Sequence, residues 1–508
     1  MRSIKNTKVI CLILSVIVLV AASNNTFAQI NENACDCADL LDETVSKIEM
    51  NYIAYHVEIK GKRDVEYQTH VNTFKKAANK TTLDKCVPLL QEFVNYFRDG
   101  HLFVGQSPKL TDKQIFDLKA KAEKIAKSEA EIKDYLAKNS GKLDPIEGFW
   151  YASDGSRFAT FRDRKPRKRD FVAVLLSEDV DNWEKGQVKA EFTKLKDGTY
   201  DVVFYNDKHY PLHMNSYKRG KTGGARISRG LILHMAPVSW GKKFPSSNDP
   251  LNKLDSSNPR LPQLHLVNSS NVLISIPSHD PAYATVLQKL IESNKTEIEN
   301  AENLIIDLRG NEGGSSWVTN VLMPFIETEQ KRPAKYWAGD EQIVLSSNQN
   351  LKYFRSIESQ GWLPKNLIKR LEANPGRVIP FADPDTKNEE AAAKVKELSK
   401  PRNIAILMDD AIVSAGEAFI IKAMRNRKVT LFGQPTAGVI DYQSTYIIGY
   451  QNCPHMGLYL GYPMFAASNR LPAGGVNRIG IVPDVPIGKN EKDPISYIIN
   501  YYQNGPAK

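Results

Sequence analysis

The sequence lacks the cysteine and histidine spacings that bind metal ions. Only five of its 508 residues are cysteines. Cys35 and Cys37 are too close in sequence for a zinc site, and Cys453 with His455 is too sparse to form a metal centre. The sequence therefore predicts no metal, and nothing in it indicates another cofactor.

The sequence also lacks the signatures of nucleic-acid binding. Its formal net charge is +10, and loss of residues 1–28, with three basic and no acidic residues, lowers this to +7. The densest basic run, Arg162–Arg169, has no interleaved aromatic residues. We interpret this run as a solvated turn and predict no nucleic-acid partner.

The N-terminal apolar stretch is too short for a membrane span. It covers Val9–Ala22, whereas a span requires roughly twenty apolar residues. Three basic residues precede it and a polar break ending in Ala28 follows, which is typical of a secretory signal peptide over residues 1–28. We therefore expect export to the periplasm, cell envelope or medium, with no integral membrane span after cleavage. In an oxidising compartment Cys86 is expected to form a disulfide with Cys35 or Cys37.

Hydrophobic periodicity divides the remaining chain into three parts. Residues 29–142 show one-face helical spacing, and within them Thr111–Lys138 is predicted as one long charged helix. Residues 145–258 alternate apolar and polar side chains, which predicts a small antiparallel β barrel or sandwich. Strand-like and helix-like segments alternate over residues 262–508, which predicts an α/β domain.

A serine follows a predicted strand in the α/β domain. Ile404–Met408 is an apolar run that indicates a buried strand, and Ala415–Arg425 has helical periodicity. Ser414 lies between them, where a hydroxyl stands at the mouth of a sheet beside the free N–H groups of a helix. The same residues fit a capping box in which Ser414 and Glu417 only cap the helix. The stretch alone leaves both interpretations open.

A glycine-rich turn follows another predicted strand of the same domain. The strand Asn303–Arg309 runs into a turn of sequence GNEGGSS. The turn lacks the G-K-S/T and G-x-G-x-x-G patterns of phosphate and dinucleotide sites. Glycines let the backbone direct N–H groups at an anion. A glycine turn beside a serine turn therefore suits acyl transfer through an oxyanion.

These motifs resemble those of the C-terminal processing (tail-specific) serine proteases. The matching segments between residues 304 and 484 are LIIDLRGNEGG, VSAGEAF, GQPTAG and GIVPD, in the family's order. The resemblance implies a crotonase-like catalytic domain in which Ser414 is the nucleophile. It also implies an oxyanion hole made by the N–H of Ala415 and that of Gly313 or Gly314. The implied activity is that of a serine peptidase that cleaves a peptide or protein through an acyl-enzyme.

The resemblance further points to His101 as the general base. The segment DGH at residues 99–101, ahead of a predicted strand, is similar to the histidine segment of the family's tricorn-like branch. Val439 stands where the serine–lysine branch carries its lysine. The tricorn-like branch has a carboxylate at the position of Asn477. We expect Asn477 to orient His101 as a neutral partner, which stabilises imidazolium less than a carboxylate does.

The sequence leaves the substrate and the oligomeric state open. It shows no glycine-led pattern of a peptide-binding PDZ domain, so recognition of C-terminal tails does not follow from the resemblance. Two other functions remain open: a catalytically silent binding protein of the same fold that holds a lipid or peptide, and a structural envelope protein whose β domain contacts a partner. Labelling by a fluorophosphonate distinguishes the peptidase from both.

Overall fold

The structure is a computed structural model. It describes residues 35–152, 154–165, 169–178, 182–214, 224–228, 232–235, 238–245, 260–328, 331–336, 342–361, 363–383, 398–477, 479–488 and 491–505. The predicted signal peptide, residues 1–28, lies outside the described residues. Within the described part, no helix is both long and apolar enough to cross a membrane.

The N-terminal region is helical, as predicted. Its helices are α1 (Cys37–Asn51), α2 (Asp64–Ala78), α3 (Cys86–Val94), α4 (Asp112–Ala120) and α5 (Glu129–Lys138), with a π-helical turn at Tyr55–Ile59 and a strand, β1 (Phe103–Gln106). A disulfide joins Cys37 to Cys86, whose Cα atoms are 5.5 Å apart. Of the two pairings left open for Cys86, the structure therefore has the one with Cys37. Cys453 is also disulfide-bonded.

The prediction of one long helix over Thr111–Lys138 is wrong. Helix α4 ends at Ala120, and Lys124 forms an antiparallel bridge with Gln187 of the β domain. The Val188 N–H also donates to Glu123 O at 2.9 Å. These tertiary hydrogen bonds replace helical ones between the two segments, and a capping box at Ser128 then starts α5.

The middle of the chain forms an antiparallel β domain, as predicted. Its strands are β2 (Gly148–Ala152), β3 (Arg157–Lys165), β4 (Arg169–Leu175), β5 (Val188–Lys194), β6 (Tyr200–Tyr205), β7 (Pro211–Met214), β8 (Arg226–Ser228), β9 (Ile232–Met235) and β10 (Val238–Phe244). Their order in the sheet is β7-β6-β5-β4-β3-β2-β10-β9-β8. Tyr200 of β6 and Ala225 exchange two backbone hydrogen bonds of 2.9 Å, which join the β8 end of the sheet back to β6. The sheet therefore curls towards a barrel around aromatic residues such as Trp150 and Trp240.

The interpretation of Arg162–Arg169 as a solvated turn fails at Arg169, whereas the side chains of Arg162, Arg164 and Lys165 are exposed. The two ends of this run lie in β3 and β4. The Arg169 guanidinium is fully buried and donates to Glu123 at 2.7 and 2.9 Å, and it also bonds to Asp163. A buried guanidinium requires such acceptors, so Arg169 fastens the helical region to the β domain.

The C-terminal part is an α/β domain. Its helices are α6 (Ala284–Ser293), α7 (Lys295–Asn300), α8 (Met323–Ile326), α9 (Asn348–Ile357), α10 (Leu367–Ala373), α11 (Ala415–Ala423) and α12 (Pro494–Asn504). Its strands are β11 (Gln263–Asn268), β12 (Asn271–Ser275), β13 (Asn303–Asp307), β14 (Ile343–Leu345), β15 (Val378–Pro380), β16 (Asn403–Met408), β17 (Val429–Gly433), β18 (Tyr442–Gly449), β19 (Leu458–Ala466) and β20 (Val485–Pro486). The fold class, an α/β catalytic domain with a helical N-terminal region and a small antiparallel β domain, is confirmed.

Two sheets of the α/β domain bring the predicted site residues together. In the first, β12, β13, β16, β17 and β20 are parallel neighbours and β11 is antiparallel at the edge. The carboxyl ends of β13 and β16 are in register at Asp307 and Leu407, so the loops that follow them are adjacent. In the second, β1 pairs antiparallel with β19, so the segment just after His101 is a strand of a catalytic-domain sheet.

Candidate active site

Ser414 lies at a strained turn between β16 and α11. Its backbone has φ +51° and ψ −118°, which is a rare conformation for a residue with a side chain. The Glu417 side chain accepts from the Ser414 N–H at 3.2 Å. The Ser414 hydroxyl lies 3.2 Å from His101 Nε2. Capping and nucleophile geometry therefore coexist, because Glu417 caps the backbone while the hydroxyl faces the imidazole.

His101 is held so that its free ring nitrogen faces the serine. His101 Nδ1 is 2.7 Å from the backbone oxygen of Tyr442. A carbonyl oxygen only accepts hydrogen bonds, so Nδ1 carries the proton and Nε2 presents a lone pair to the Ser414 hydroxyl. Burial lowers the pKa of His101 from the usual imidazole value. The ring is therefore neutral near pH 7, which is the form that accepts a proton.

The turn that carries His101 is fixed from the N-terminal region. The Asp99 carboxylate accepts from the His101 N–H at 2.9 Å and from the Tyr52 hydroxyl at 2.7 Å. Burial raises the pKa of Asp99 to about 7, while the hydrogen bond from Tyr52 opposes that rise. The Tyr442 hydroxyl donates to Glu58 at 2.6 Å. The helical region thus holds both the histidine and the residue whose carbonyl orients it.

Asn477 occupies a different place from the one expected. Its side-chain oxygen accepts from the Asp441 N–H at 3.1 Å, and the Asp441 carboxylate accepts from the Asn477 N–H at 2.7 Å. The hydrogen bond that orients the His101 ring comes instead from Tyr442 O. Asn477 therefore stabilises the backbone one residue before Tyr442, and its hydrogen bonds within the described part of the chain go to Asp441 and not to the imidazole. Asn477 does not orient His101, because the backbone carbonyl of Tyr442 already occupies the Nδ1 side of the ring.

Two backbone N–H groups beside Ser414 have no acceptor among the described residues. One is that of Ala415, the first residue of α11, and the other is that of Gly314. The Gly313 N–H, by contrast, donates to Asn311 Oδ1 at 2.9 Å. The sequence left the two glycines as alternatives, and the structure distinguishes them. Gly314 has the free donor, whereas Gly313, which has no Cβ, leaves room for the Ser414 side chain. A Cβ on Gly313 would lie 2.9 Å from Ser414 Cβ.

Asn311 holds the glycine turn against the serine turn. Its side-chain oxygen accepts from Gly313 N–H and from His279 Nδ1 at 3.0 Å, and its side-chain amide donates to Ile276 O at 2.7 Å. Its backbone oxygen accepts from Val413 N–H at 3.0 Å. Sequence reasoning missed this role. The signal was present, because asparagine in a turn commonly bonds a backbone N–H two residues on.

Glu417 connects the serine turn to the GQPTAG turn. Its carboxylate accepts from the Thr436 hydroxyl at 2.5 Å, from Gly438 N–H at 2.6 Å and from Val439 N–H at 2.9 Å. Burial raises the pKa of Glu417 to about 7, against the effect of these donors. Val439, at the position of the missing lysine, is buried and contributes a backbone N–H to this network. The side chain of Lys422 points away and pairs with Glu327 at 3.2 Å.

Most of the α/β domain matches the profile of a known protein family. Residues 272–487 match the profile of Peptidase family S41. This segment is therefore similar to peptidase family S41. It contains Ser414, Ala415 and both candidate glycines, whereas His101 lies outside it, in the N-terminal region.

Solved structures show similarities over most of the chain at low identity. A lipoprotein from Streptococcus agalactiae is 13% identical with a TM-score of 0.37, over 95% of this chain and 100% of that one. Mature CPAF is 11% identical with a TM-score of 0.44, over 89% and 92%. The tricorn protease is 13% identical with a TM-score of 0.36, over 92% of this chain and 35% of that one. The search of curated proteins found no match. At such values these similarities assign no residue roles.

Proposed function

We propose that the protein is an exported serine peptidase that cleaves peptide bonds through an acyl-enzyme on Ser414. The contact of 3.2 Å between His101 Nε2 and Ser414 Oγ carries the proposal. It does so because Tyr442 O fixes the tautomer in which Nε2 is the acceptor. The peptidase family of residues 272–487 supports a peptide or protein substrate. The Cys37–Cys86 disulfide supports an oxidising compartment such as the periplasm or cell exterior.

The reaction follows from the positions of these groups. Ser414 Oγ attacks the scissile carbonyl carbon while its proton passes to His101 Nε2. The oxyanion formed accepts from the N–H groups of Gly314 and Ala415. The carbon–nitrogen bond then breaks as His101 gives its proton to the leaving amine, which leaves an acyl ester on Oγ. Water attacks this ester with His101 as base, releases the carboxylic acid and restores the serine.

Labelling with a fluorophosphonate tests the proposal without knowledge of the natural substrate. In this reaction Oγ forms a bond to phosphorus, fluoride leaves and His101 takes the serine proton. We expect the wild-type protein to be labelled on Ser414, Ser414→Ala to be unlabelled and His101→Ala to be labelled at least a hundredfold more slowly. A folded wild-type protein that takes up no label contradicts the proposal. It would favour the catalytically silent alternative, and extraction of a bound lipid or peptide from purified protein would then separate binding from a structural role.

A further inference from the structure

Two side chains of the β domain bond to one residue in the glycine turn of the candidate active site. Glu312 lies in that turn, two residues before Gly314. His234 Nδ1, on β9, is 2.7 Å from Glu312 Oε1, and the Ser239 hydroxyl, on β10, donates to Glu312 Oε2. His234 is 2% exposed and Ser239 is 6% exposed. Two buried side chains of another domain thus converge on one carboxylate of the turn.

The charges define the direction of both hydrogen bonds. Burial alone would raise the pKa of Glu312, but hydrogen bonds from His234 and Ser239 lower it; burial also lowers the pKa of His234, so that ring is neutral near pH 7. Glu312 is therefore ionised and can only accept, so His234 Nδ1 carries a proton. Donors to a carboxylate form stronger and better-directed bonds than neutral pairs do. These bonds consequently fix the position of the Glu312 side chain in the turn.

The same edge of the β domain also holds the loop that leads to Ser414. The Ser228 hydroxyl, on β8, donates to Asp409 Oδ2. Asp409 Oδ1 accepts from Gly310 N–H at 3.1 Å and from Ala411 N–H at 3.0 Å. Asp409 thereby joins the glycine turn to the loop before Ser414. The β domain contacts both loops at the point where they meet.

The contacts of the glycine turn come from two sources. Gly310 and Gly313 are held by Asp409 and Asn311, which belong to the same S41 segment. Glu312 is held by His234 and Ser239, which precede that segment. The free N–H of Gly314 therefore depends for its direction partly on a domain that no family motif describes. Because an oxyanion donor must be placed before the reaction, a small shift of this turn lowers the rate strongly.

We propose that His234 and Ser239 are positioning residues that fix the Gly314 N–H of the oxyanion hole through Glu312. The β domain then contributes to catalysis by positioning the glycine turn. This inference rests on the proposed function for Ser414 and Gly314. It adds a dependence of the reaction rate on residues that lie in a separate domain and touch no reacting atom.

The test compares two buried histidines of the same β domain. His209 bonds to Asn182 O at 2.7 Å within the β domain and serves as the matched control for His234. The fluorophosphonate reaction gives a maximal labelling rate and a concentration of half-saturation. We expect His234→Ala to lower the maximal rate by about tenfold to a hundredfold with half-saturation within about twofold. Ser239→Ala should have a smaller effect in the same direction, and His209→Ala should leave both parameters unchanged.

A conservative variant and a second measurement complete the test. His234→Asn keeps a donor near the position of Nδ1 and should recover most of the maximal rate. Amide hydrogen exchange of residues 309–316 should quicken in His234→Ala but not in His209→Ala. Equal labelling rates and equal exchange in these two variants would overturn the inference. If the wild-type protein takes up no label, the proposed function fails, and the exchange comparison alone then decides whether the β domain holds the turn.

Discussion

The two halves of the candidate active site are built in different ways. The glycine turn and Ser414 follow β13 and β16, which are neighbouring parallel strands in register. His101 lies 313 residues before Ser414 in sequence and is held by the neighbouring Asp99 side chain and by the distant backbone oxygen of Tyr442. Sheet topology thus brings the parts of the nucleophile half together, and His234 and Ser239 of the β domain hold its glycine turn through Glu312. The base half depends on packing of the N-terminal helices, so changes in those helices should disturb it before they disturb the nucleophile half.

The largest expected effect comes from removing either member of the pair. Ser414→Ala and His101→Ala should each lower peptide hydrolysis by about a thousandfold or more, because each removes a group that the reaction requires. The double variant should be hardly slower than either, since members of one catalytic unit are not additive. A quenched fluorescent peptide library provides the assay, and circular dichroism checks the fold. If His101→Ala retains near-normal turnover, the base is another group.

The contrast between the halves also explains what the sequence could predict. The glycine turn, Ser414 and the strands around them have motifs that are continuous in sequence, so their approximate positions were predictable. The orienting group of His101 was not, because Tyr442 acts through its backbone carbonyl, which any residue possesses. Asn477 was selected by its place in a motif, whereas its bonds go to Asp441. Arg169 was expected to be solvated because runs of charged residues usually face solvent. In the structure it is buried and paired with Glu123 and Asp163.

The second prediction concerns the disulfide, which braces only the base half. Cys37 and Cys86 are 49 residues apart, and closing such a loop stabilises the folded state by about 4 kcal/mol in the chain-entropy description. Cys37→Ser with Cys86→Ser should lower the free energy of unfolding by up to this amount. Hydrogen exchange should quicken first in residues 37–101, ahead of β13 and β16. An unchanged urea midpoint, or opening that begins in those strands, would contradict this view.

The third prediction isolates the link between the N-terminal region and the histidine. Tyr442→Phe removes the hydroxyl that bonds to Glu58 and so loosens the residue whose carbonyl orients His101. We expect about a tenfold lower fluorophosphonate labelling rate and a loss of about 1 kcal/mol in stability. Tyr450→Phe is the matched control, because its hydroxyl bonds to Thr44 at 2.7 Å in the same region. It should lose similar stability and keep its labelling rate, and equal labelling rates in the two variants would refute the link.

The smallest expected effect is a shift in the pH profile of the base. Burial lowers the pKa of His101, so the rate should stay high below the usual value of about 6.5 and fall only as pH drops through the lowered pKa. The same shift has a stability consequence: the unfolded chain binds the proton more readily, so stability decreases as pH falls below about 6.5. Asn477→Asp keeps the acceptor for Asp441 N–H and adds a negative charge beside the residue that precedes Tyr442. Because Tyr442 O already occupies Nδ1, that charge acts only through space, and the acid limb should rise by less than about one pH unit. Labelling rates of wild type and Asn477→Asp between pH 4 and 8 provide the measurement. A rise of about two units or more would mean that residue 477 bonds to the imidazole directly, and that the base half is oriented by a side chain after all.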